Sequence, residues 1–484
     1  MPPQDIDWLA ILPTLLVAGT GILALLAEIV NPKRDNGLII GISLAGLAFA
    51  SYFVFGQYGQ PPAESFAGML FRDDFGLTMQ LLIIGATFLA ILFSEGYLRE
   101  KRIPFGEFYP LMLWSAVGAM VMATSRNLLM IFLGVEILSI ALYVMAGMSR
   151  SEEKSEESAL KYFLLGAFAS AFLLYGIALT YGATGSLNLS AVTIAWLAHD
   201  PTAKTLLLFG LGMMLIGLSF KASFVPFHQW TPDVYQGAPT NVTTFMASAS
   251  KIGAFAALVR VLQGFNIPGL SEYWITALTW VAILTMVVGN LVAIVQKDVK
   301  RILGYSSIAH AGYMLVALLA HFSNPDKVSL NTLIYYLLSY SLMTIGAFAV
   351  ISLVAKGGKE GTRLKDLHGL WQRQPLAAAA LILFVVSLIG VPPTSGFFGK
   401  MMIFTDAVSA GLVPLAVVLA TTSIISVYYY LGIARAVFVA DEDAAKARSA
   451  PMNTGLAAAC LICSVGVIAV VVAFSPVMNF IGAR

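Results

Sequence analysis

The stretch LIGLSFKASFVPFHQWTPDVYQGAPT, residues 215–240, decides how this chain folds. Its apolar half belongs to a run long enough to cross ~30 Å of hydrocarbon, which takes about 20 helical residues. Yet Lys221 lies inside that run and Pro226 follows it. Proline has no N–H for the carbonyl four residues back, so the helix breaks there. Ser223 and His228 are the groups expected to satisfy the freed backbone. A second run, VVSLIGVPPTSGFFGKMMIF at 385–404, breaks harder, at Pro392 and Pro393 with Gly396 and Gly399, and carries Lys400. One proline alone makes a kink. Matched interruptions in the two halves of a chain point to repeats around a binding or conduction site.

The composition outside these stretches fits a membrane protein. The chain has 484 residues, of which 58% are hydrophobic and only 11% charged, against roughly 25% charged in soluble domains. A net charge of +2 with no long basic tract gives nucleic acid nothing to bind. The N-terminus MPPQDIDWLA is acidic and runs straight into an apolar segment, so it reads as a retained first span rather than a cleaved signal.

Fourteen spans are expected, near 8–30, 37–56, 74–96, 108–124, 126–148, 158–182, 205–231, 239–263, 272–296, 301–321, 329–355, 375–404, 411–439 and 453–480. With that count, one set of loops collects Lys33, Arg34, Arg99, Lys101, Arg102, Arg150, Lys154, Lys161, Lys297, Lys300, Arg301, Lys356, Lys359, Arg363, Lys365, Arg373, Lys446 and Arg448. The opposite set holds Arg72, Arg126, Lys204, Lys327 and Arg484. Positive loops stay in the cytoplasm, which puts both termini outside.

The two breaks lie five spans apart, so spans 4–8 and 9–13 form two five-helix units. Because five is odd, the second unit enters from the opposite face. The expected fold is therefore an all-α polytopic membrane protein of about 14 transmembrane helices, with two inverted five-helix repeats and broken helices 7 and 12. Its parts are a three-helix segment (1–107), the first repeat (108–263), the second (264–439) and a C-terminal helix (440–484). Arg126-Asn127-Leu128 ahead of Glu136 resembles Arg301-Ile302-Leu303 ahead of His310 and suggests the repeat register.

Four charges sit inside these spans: Glu136 in FLGVEILSIAL, Lys221, Lys251 in FMASASKIGAFAAL, and Lys400. Each costs at least ~2.5–3.5 kcal/mol at the bilayer centre, so such residues face partners or water and serve transport. A lysine out of water holds its proton less tightly, and a nearby carboxylate restores the hold. Glu136 paired with Lys221 therefore makes a switchable ion pair, with Lys251 as recipient, His310 as relay and Lys400 as the far station. Purely structural pairing would explain one acid and one lysine, but not two further lysines.

Weaker signals surround these. His228 either lines the cavity or caps backbone, and Asp233 is interfacial. Arg260 and Arg435 fall near helix ends. His199, His321 and His368 lie in loops or at span ends. Glu28 and Glu95 lie near cytoplasmic ends, where snorkelling makes a charge cheap. Tyr428, Tyr429 and Tyr430 read as packing, RSEEKSEES at 150–158 as a solvated loop, and the Cys460/Cys463 pair as packing inside an apolar helix. There is no phosphate loop, dinucleotide fingerprint, cluster-binding cysteine set or haem motif, so no cofactor or metal is expected in this chain.

The run FKASFVPFHQWTPDVYQGAPTNVTTFMASASKIGAFAALVR, residues 220–260, resembles the antiporter-like proton-pumping membrane subunits of respiratory NADH–quinone oxidoreductase (complex I). The likeness extends over essentially the whole chain. Fourteen spans and no long lateral helix after the last resemble a shorter branch of that family. The resemblance implies Glu136 as the fifth-helix acid, Lys221 as its partner, Lys251 as the central lysine, His310 as the relay and Lys400 as the terminal residue. It also implies a bacterial inner-membrane assembly with further antiporter-like subunits, and partner subunits carrying FMN, iron–sulfur clusters and quinone. The same pattern resembles the multisubunit cation/proton antiporters, which is the alternative. A sodium site there would want clustered acids or carbonyls, which this lysine-rich interior lacks. A structural scaffold comes third.

Overall fold

The computed structural model describes residues 6–30, 36–101, 103, 106–150, 152–356, 359–440 and 452–482. Lys33, Arg34, Arg102, Lys446, Arg448 and Arg484 lie outside them, as does Ser151. Apolar composition dictates helix, because every backbone polar group in hydrocarbon must be satisfied within its own segment. The N-terminal helices are α1 (Trp8–Val30), α2 (Gly37–Phe55) and α3 (Asp74–Glu100). Then come α4 (Phe108–Ala123), α5 (Leu128–Ala146), α6 (Glu153–Thr184), the short α7 (Ser190–Leu197), α8 (Pro201–Ala222), α9 (Trp230–Gly237), α10 (Thr240–Ala247) and α11 (Ala249–Gly264). The second half contains α12 (Ser271–Ile294), α13 (Val299–Ser323), α14 (Asn331–Ile351), α15 (Leu370–Arg373), α16 (Pro375–Ile389), α17 (Ser395–Ser409) and α18 (Val413–Phe438). Helices Thr454–Val472 and Phe474–Ile481 follow. Two small hairpins, Ala63–Ser65 with Leu70–Arg72 and Ala355–Lys356 with Lys359–Glu360, lie in loops.

Among the described residues, twelve helices are long and apolar enough to cross a membrane, and Phe108–Ala123 and Pro375–Ile389 are shorter apolar helices. These match the fourteen expected spans. The segment Thr240–Gly264 is buried throughout, and α13 and α14 nearly so. The helices carrying Lys251 and His310 therefore form the centre of the bundle, and α1, α2 and α6 lie around it. Small residues permit close crossings, as where a side chain on Gly176 would strike the Gly210 carbonyl at 2.5 Å.

Both expected breaks are present, and their capping differs from the sequence expectation. α8 ends on Ser223 in the left-handed region (φ 67°) and α16 on Gly390 (φ 90°). At the first break the Trp230 indole donates to the Phe220 carbonyl (2.9 Å) and the Val225 N–H donates to Thr285 Oγ1 (3.0 Å). Ser223 accepts instead from Thr231 Oγ1 (2.8 Å), and His228 Nδ1 is left without a partner. The indole thus adds a second donor to a carbonyl of the last turn that already accepts from Ser223 N. A third break, without proline, falls at Ser248 between α10 and α11 (φ −114°, ψ −89°).

The acidic stretch expected as a loop at 150–158 is mostly helix, because α6 begins at Glu153. Glu153 and Glu156 in its first turn complement the positive end of the helix dipole.

One backbone pattern occurs twice. Leu128 N donates to Leu187 O and Leu189 N to Arg126 O. Likewise Val299 N donates to Thr362 O and Leu364 N to Lys297 O. This pairs Leu128 with Val299 and Arg126 with Lys297, four residues away from the expected match to Arg301. Glu136 then falls level with Ser307, and Ser139 with His310. Tight crossings agree with that register: Gly118 approaches Leu138 as Gly289 approaches Ala309.

Candidate proton pathway

The three intramembrane lysines are buried, with Lys221 5%, Lys251 2% and Lys400 6% exposed, and His310 is 1% exposed. Each amine nevertheless has hydrogen-bond acceptors, two at Lys221 and Lys251 and three at Lys400, as a buried polar group needs. Lys221, near the end of α8, donates to Ser139 Oγ (2.9 Å) on α5 and Tyr162 OH (3.1 Å) on α6. Glu136 accepts a hydrogen bond from Ser170 Oγ and is half-buried. Among the described residues the ion pairs within 4 Å do not include Glu136 with Lys221. Each group is instead held by hydroxyls of its own, Glu136 by Ser170 and Lys221 by Ser139 and Tyr162. Ser139 lies one turn beyond Glu136 on the same helix face, which is why the lysine reaches it first.

Lys251, on α11 just past the Ser248 break, donates to Ser307 O (2.7 Å) and Ser307 Oγ (2.5 Å) on α13 and faces the Tyr340 ring. Tyr235 OH lies 3.4 Å from the same Ser307 hydroxyl. One turn further along α13, His310 is held at both nitrogens: Nδ1 with Tyr336 OH (2.9 Å) and Nε2 with Tyr430 OH (3.1 Å). Tyr430 is also bonded to Ser306 Oγ. Lys400, on α17, reaches back into the second break and donates to the carbonyls of Leu388 (2.9 Å) and Ile389 (2.8 Å) and to Ser423 Oγ (2.8 Å). Its Cδ passes 3.1 Å from where a Cβ on Gly390 would stand, so only glycine suits that left-handed position. A cation at the open C-terminus of α16 is electrostatically favoured.

Four of the five main candidates, Lys221, Lys251, His310 and Lys400, are thus buried in the bundle, each within reach of a hydroxyl. Glu136 is the more exposed member, and His228 stands apart at the first break. The hydroxyls are what the sequence did not show. Tyr430 and Tyr429, expected as packing, are bonded to His310 and to Asn290 Oδ1 (3.0 Å) respectively, whereas Tyr428 is 69% exposed. Tyr336 and Ser307 gave no signal, because a tyrosine or serine in a membrane helix usually serves packing or its own carbonyl. Removing only the Tyr430 hydroxyl, in Tyr430→Phe, is expected to slow proton transfer while leaving assembly intact. Proton uptake per turnover checks this, and an unchanged value would place Tyr430 outside the path.

A buried ion pair lies at the opposite end from the positive loops. Arg260, 0% exposed, donates to both oxygens of Asp73 (2.7 and 2.5 Å) and to the Ala123 carbonyl (2.8 Å). Read as a helix-end residue from sequence, it is among the largest fully buried side chains of the described residues. The two cysteines are free and buried.

A family model described as NADH:quinone oxidoreductase/Mrp antiporter, TM, matches residues 125–426. The NADH-quinone oxidoreductase subunit N of Trichlorobacter lovleyi is 41% identical over 428 residues, 88% of this chain and 87% of that one. Its counterpart in Salinibacter ruber is 41% identical over 478 residues, 96% and 93% of the two chains. A chain of respiratory complex I from Thermus thermophilus superposes with a TM-score of 0.81 at 37% identity, over 96% of this chain and 98% of that one. A chain of the Mrp complex from a Dietzia species does so with a TM-score of 0.81 at 21% identity, over 99% and 97%, which is a likeness of fold alone.

Proposed function

This chain belongs to the NADH:quinone oxidoreductase/Mrp antiporter membrane-subunit family, and on that premise we propose that it conducts protons along the line Glu136–Lys221–Lys251–His310–Lys400. It is an integral, multi-pass membrane protein and a proton-pumping, antiporter-like subunit of an NADH:quinone oxidoreductase, working beside other membrane subunits. Redox chemistry takes place in partner subunits that hold FMN, iron–sulfur clusters and quinone, and a change at Glu136 switches the line.

The observation that carries the proposal is the chemistry of the lysine contacts. Among the described residues none of Lys221, Lys251 and Lys400 pairs with a carboxylate within 4 Å, yet each has a hydroxyl within hydrogen-bond distance. Neutral hydroxyls can donate or accept, so they serve an ammonium and a neutral amine alike. A fixed structural lysine would instead be matched by a buried acid. Lys221 is held by Ser139 and Tyr162 rather than by Glu136 itself, so a change of charge at Glu136 acts on that lysine through space, without a salt bridge to break.

The recurring backbone pattern supports two five-span units, 108–263 and 264–439, each containing a broken helix, between the segments 1–107 and 440–484. The charge distribution of the loops supports placing both termini outside the cytoplasm. Copurification tests the redox assignment: the tagged chain, extracted in mild detergent, is expected to bring down subunits carrying flavin and iron–sulfur clusters. Recovery of an assembly without either, together with cation-driven proton exchange in vesicles, would assign it to the cation/proton antiporters.

A further inference from the structure

The polar end of the bundle that bears the positive loops contains a second set of buried charges outside the line above. Lys300, in the first turn of α13, is 0% exposed and donates to Glu360 Oε2 (2.9 Å) and to the Ala238 carbonyl (2.6 Å). Glu360 comes from the loop hairpin after α14. Its other oxygen accepts from Thr240 N (3.2 Å), Thr240 Oγ1 (2.8 Å) and Tyr97 OH. This one carboxylate thereby caps the start of α10 and fixes Lys300. Glu360 also lines a cavity of about 770 Å³ with Lys154, Gln236, Lys297, Asp298 and Arg363. The Lys300 amine is therefore one carboxylate away from a polar cavity.

Inward from this pair, the interval to Lys251 is lined with hydroxyls. Ser307, which holds Lys251, lies two turns along α13 from Lys300, about 10 Å at 1.5 Å per residue. On α10, Thr240, Thr244 and Ser248 form one buried stripe. The Thr244 and Ser248 hydroxyls each donate to the carbonyl one turn back (2.7 Å), leaving lone pairs for water. The stripe ends at the break before α11.

We propose that Lys300 and Glu360 form the gate through which protons reach Lys251 from the polar cavity. The Lys300 ammonium gives a proton inward: its N–H bond breaks, water and hydroxyls pass the proton on, and a new N–H bond forms on neutral Lys251. Cavity water then reprotonates Lys300: an O–H bond of that water breaks as the N–H bond forms, and the hydroxide left behind is neutralised by a proton from the solution outside. Glu360 stays ionised and holds the amine in place. Burial alone would raise its carboxyl, but Lys300 and Lys101 outweigh that and hold it at about 2. Because this lies below the unfolded value, the clamp is fully present above the usual carboxylate range, about 4.3, and is lost only as pH falls from there through about 2. It therefore does not titrate at neutral pH. The other titratable or charged groups facing the gate and its cavity are Tyr97, Lys101, Glu152 behind Lys101 (3.3 Å), Lys154, Lys297, Asp298, Arg363, Lys365, Asp366 and His368. Burial pushes Lys101 down.

The gate rests on Lys251 being a proton carrier, so Lys251→Ala is measured beside it in the same reconstituted whole complex. Lys300→Arg keeps the charge and the carboxylate contact but cannot deprotonate. It is expected to retain NADH-to-quinone electron transfer and to lose protons per NADH several-fold. Glu360→Gln keeps the shape and removes the anion. It is expected to move the alkaline limb of pumping to lower pH, since a neighbouring anion stabilises the ammonium. If Lys251→Ala stops pumping while both gate variants pump with the wild-type ratio and pH profile, the gate is wrong and the line stands. If Lys251→Ala pumps normally, both fall. Should Lys300→Arg fail to assemble, the pH profile of Glu360→Gln decides by itself.

Discussion

Lys251→Ala is expected to leave the complex assembled and to remove most of the proton translocation coupled to NADH oxidation. The amine lies in the centre of the bundle, and its two protein acceptors both belong to Ser307. Truncation removes a proton carrier and leaves Ser307 O and Oγ to neighbouring donors, which is a small structural change. A positioned proton-transfer group contributes about 10²–10⁴-fold, so a loss of about 10²-fold in transfer rate is the expected scale. Proton uptake by reconstituted vesicles during NADH oxidation gives the value. The bundle itself should persist, because burying a charge is a cost that the alanine variant no longer bears.

Arg260→Ala is expected to be the most damaging single change to stability. It removes the counter-ion of Asp73 and two of that carboxylate's three hydrogen bonds, next to a carbonyl that has lost its donor. Breaking a buried pair from one side costs about 3–5 kcal/mol. Asp73 also caps α3 through Gly76 N (2.8 Å), so the damage spreads to that helix start. Thermal denaturation of the purified complex should show a lower midpoint and early release of this chain. Adding Asp73→Asn, which removes the stranded charge but keeps a capping oxygen, should recover part of the loss. An unchanged midpoint for Arg260→Ala would mean that water reaches the pair.

The span limits were legible in the sequence because hydrocarbon thickness fixes helix length, and they match closely: the expected 8–30 is Trp8–Val30 and the expected 411–439 is Val413–Phe438. The breaks at Pro226 and Pro392 were legible because proline lacks a donor. The break at Ser248 was not, because a small hydroxyl residue in ASAS reads equally well as helix interior. Burial of the lysines followed from their setting in apolar runs. Their partners did not, since Ser139, Ser307 and Tyr430 reach them from other helices. Glu360 was the least visible. It sits in a polar loop, KGGKEG, and only the folding-back of the hairpin buries it beside Lys300 and Thr240. Charge balance in the sequence pairs Glu136 directly with Lys221, but in the fold Ser139 and Tyr162 place hydroxyls at the amine instead.

Everything in the proton line depends on Lys251 giving up its charge and taking it back. Arginine at that position keeps the positive charge and the donors to Ser307 but cannot be neutralised. The decisive measurement is the number of protons moved per NADH oxidised by the purified, reconstituted complex carrying Lys251→Arg. A complex that assembles and passes electrons to quinone but moves few protons is the expected result. A wild-type proton-to-NADH ratio would show that the lysine is a fixed charge, and the line through the bundle would have to be abandoned.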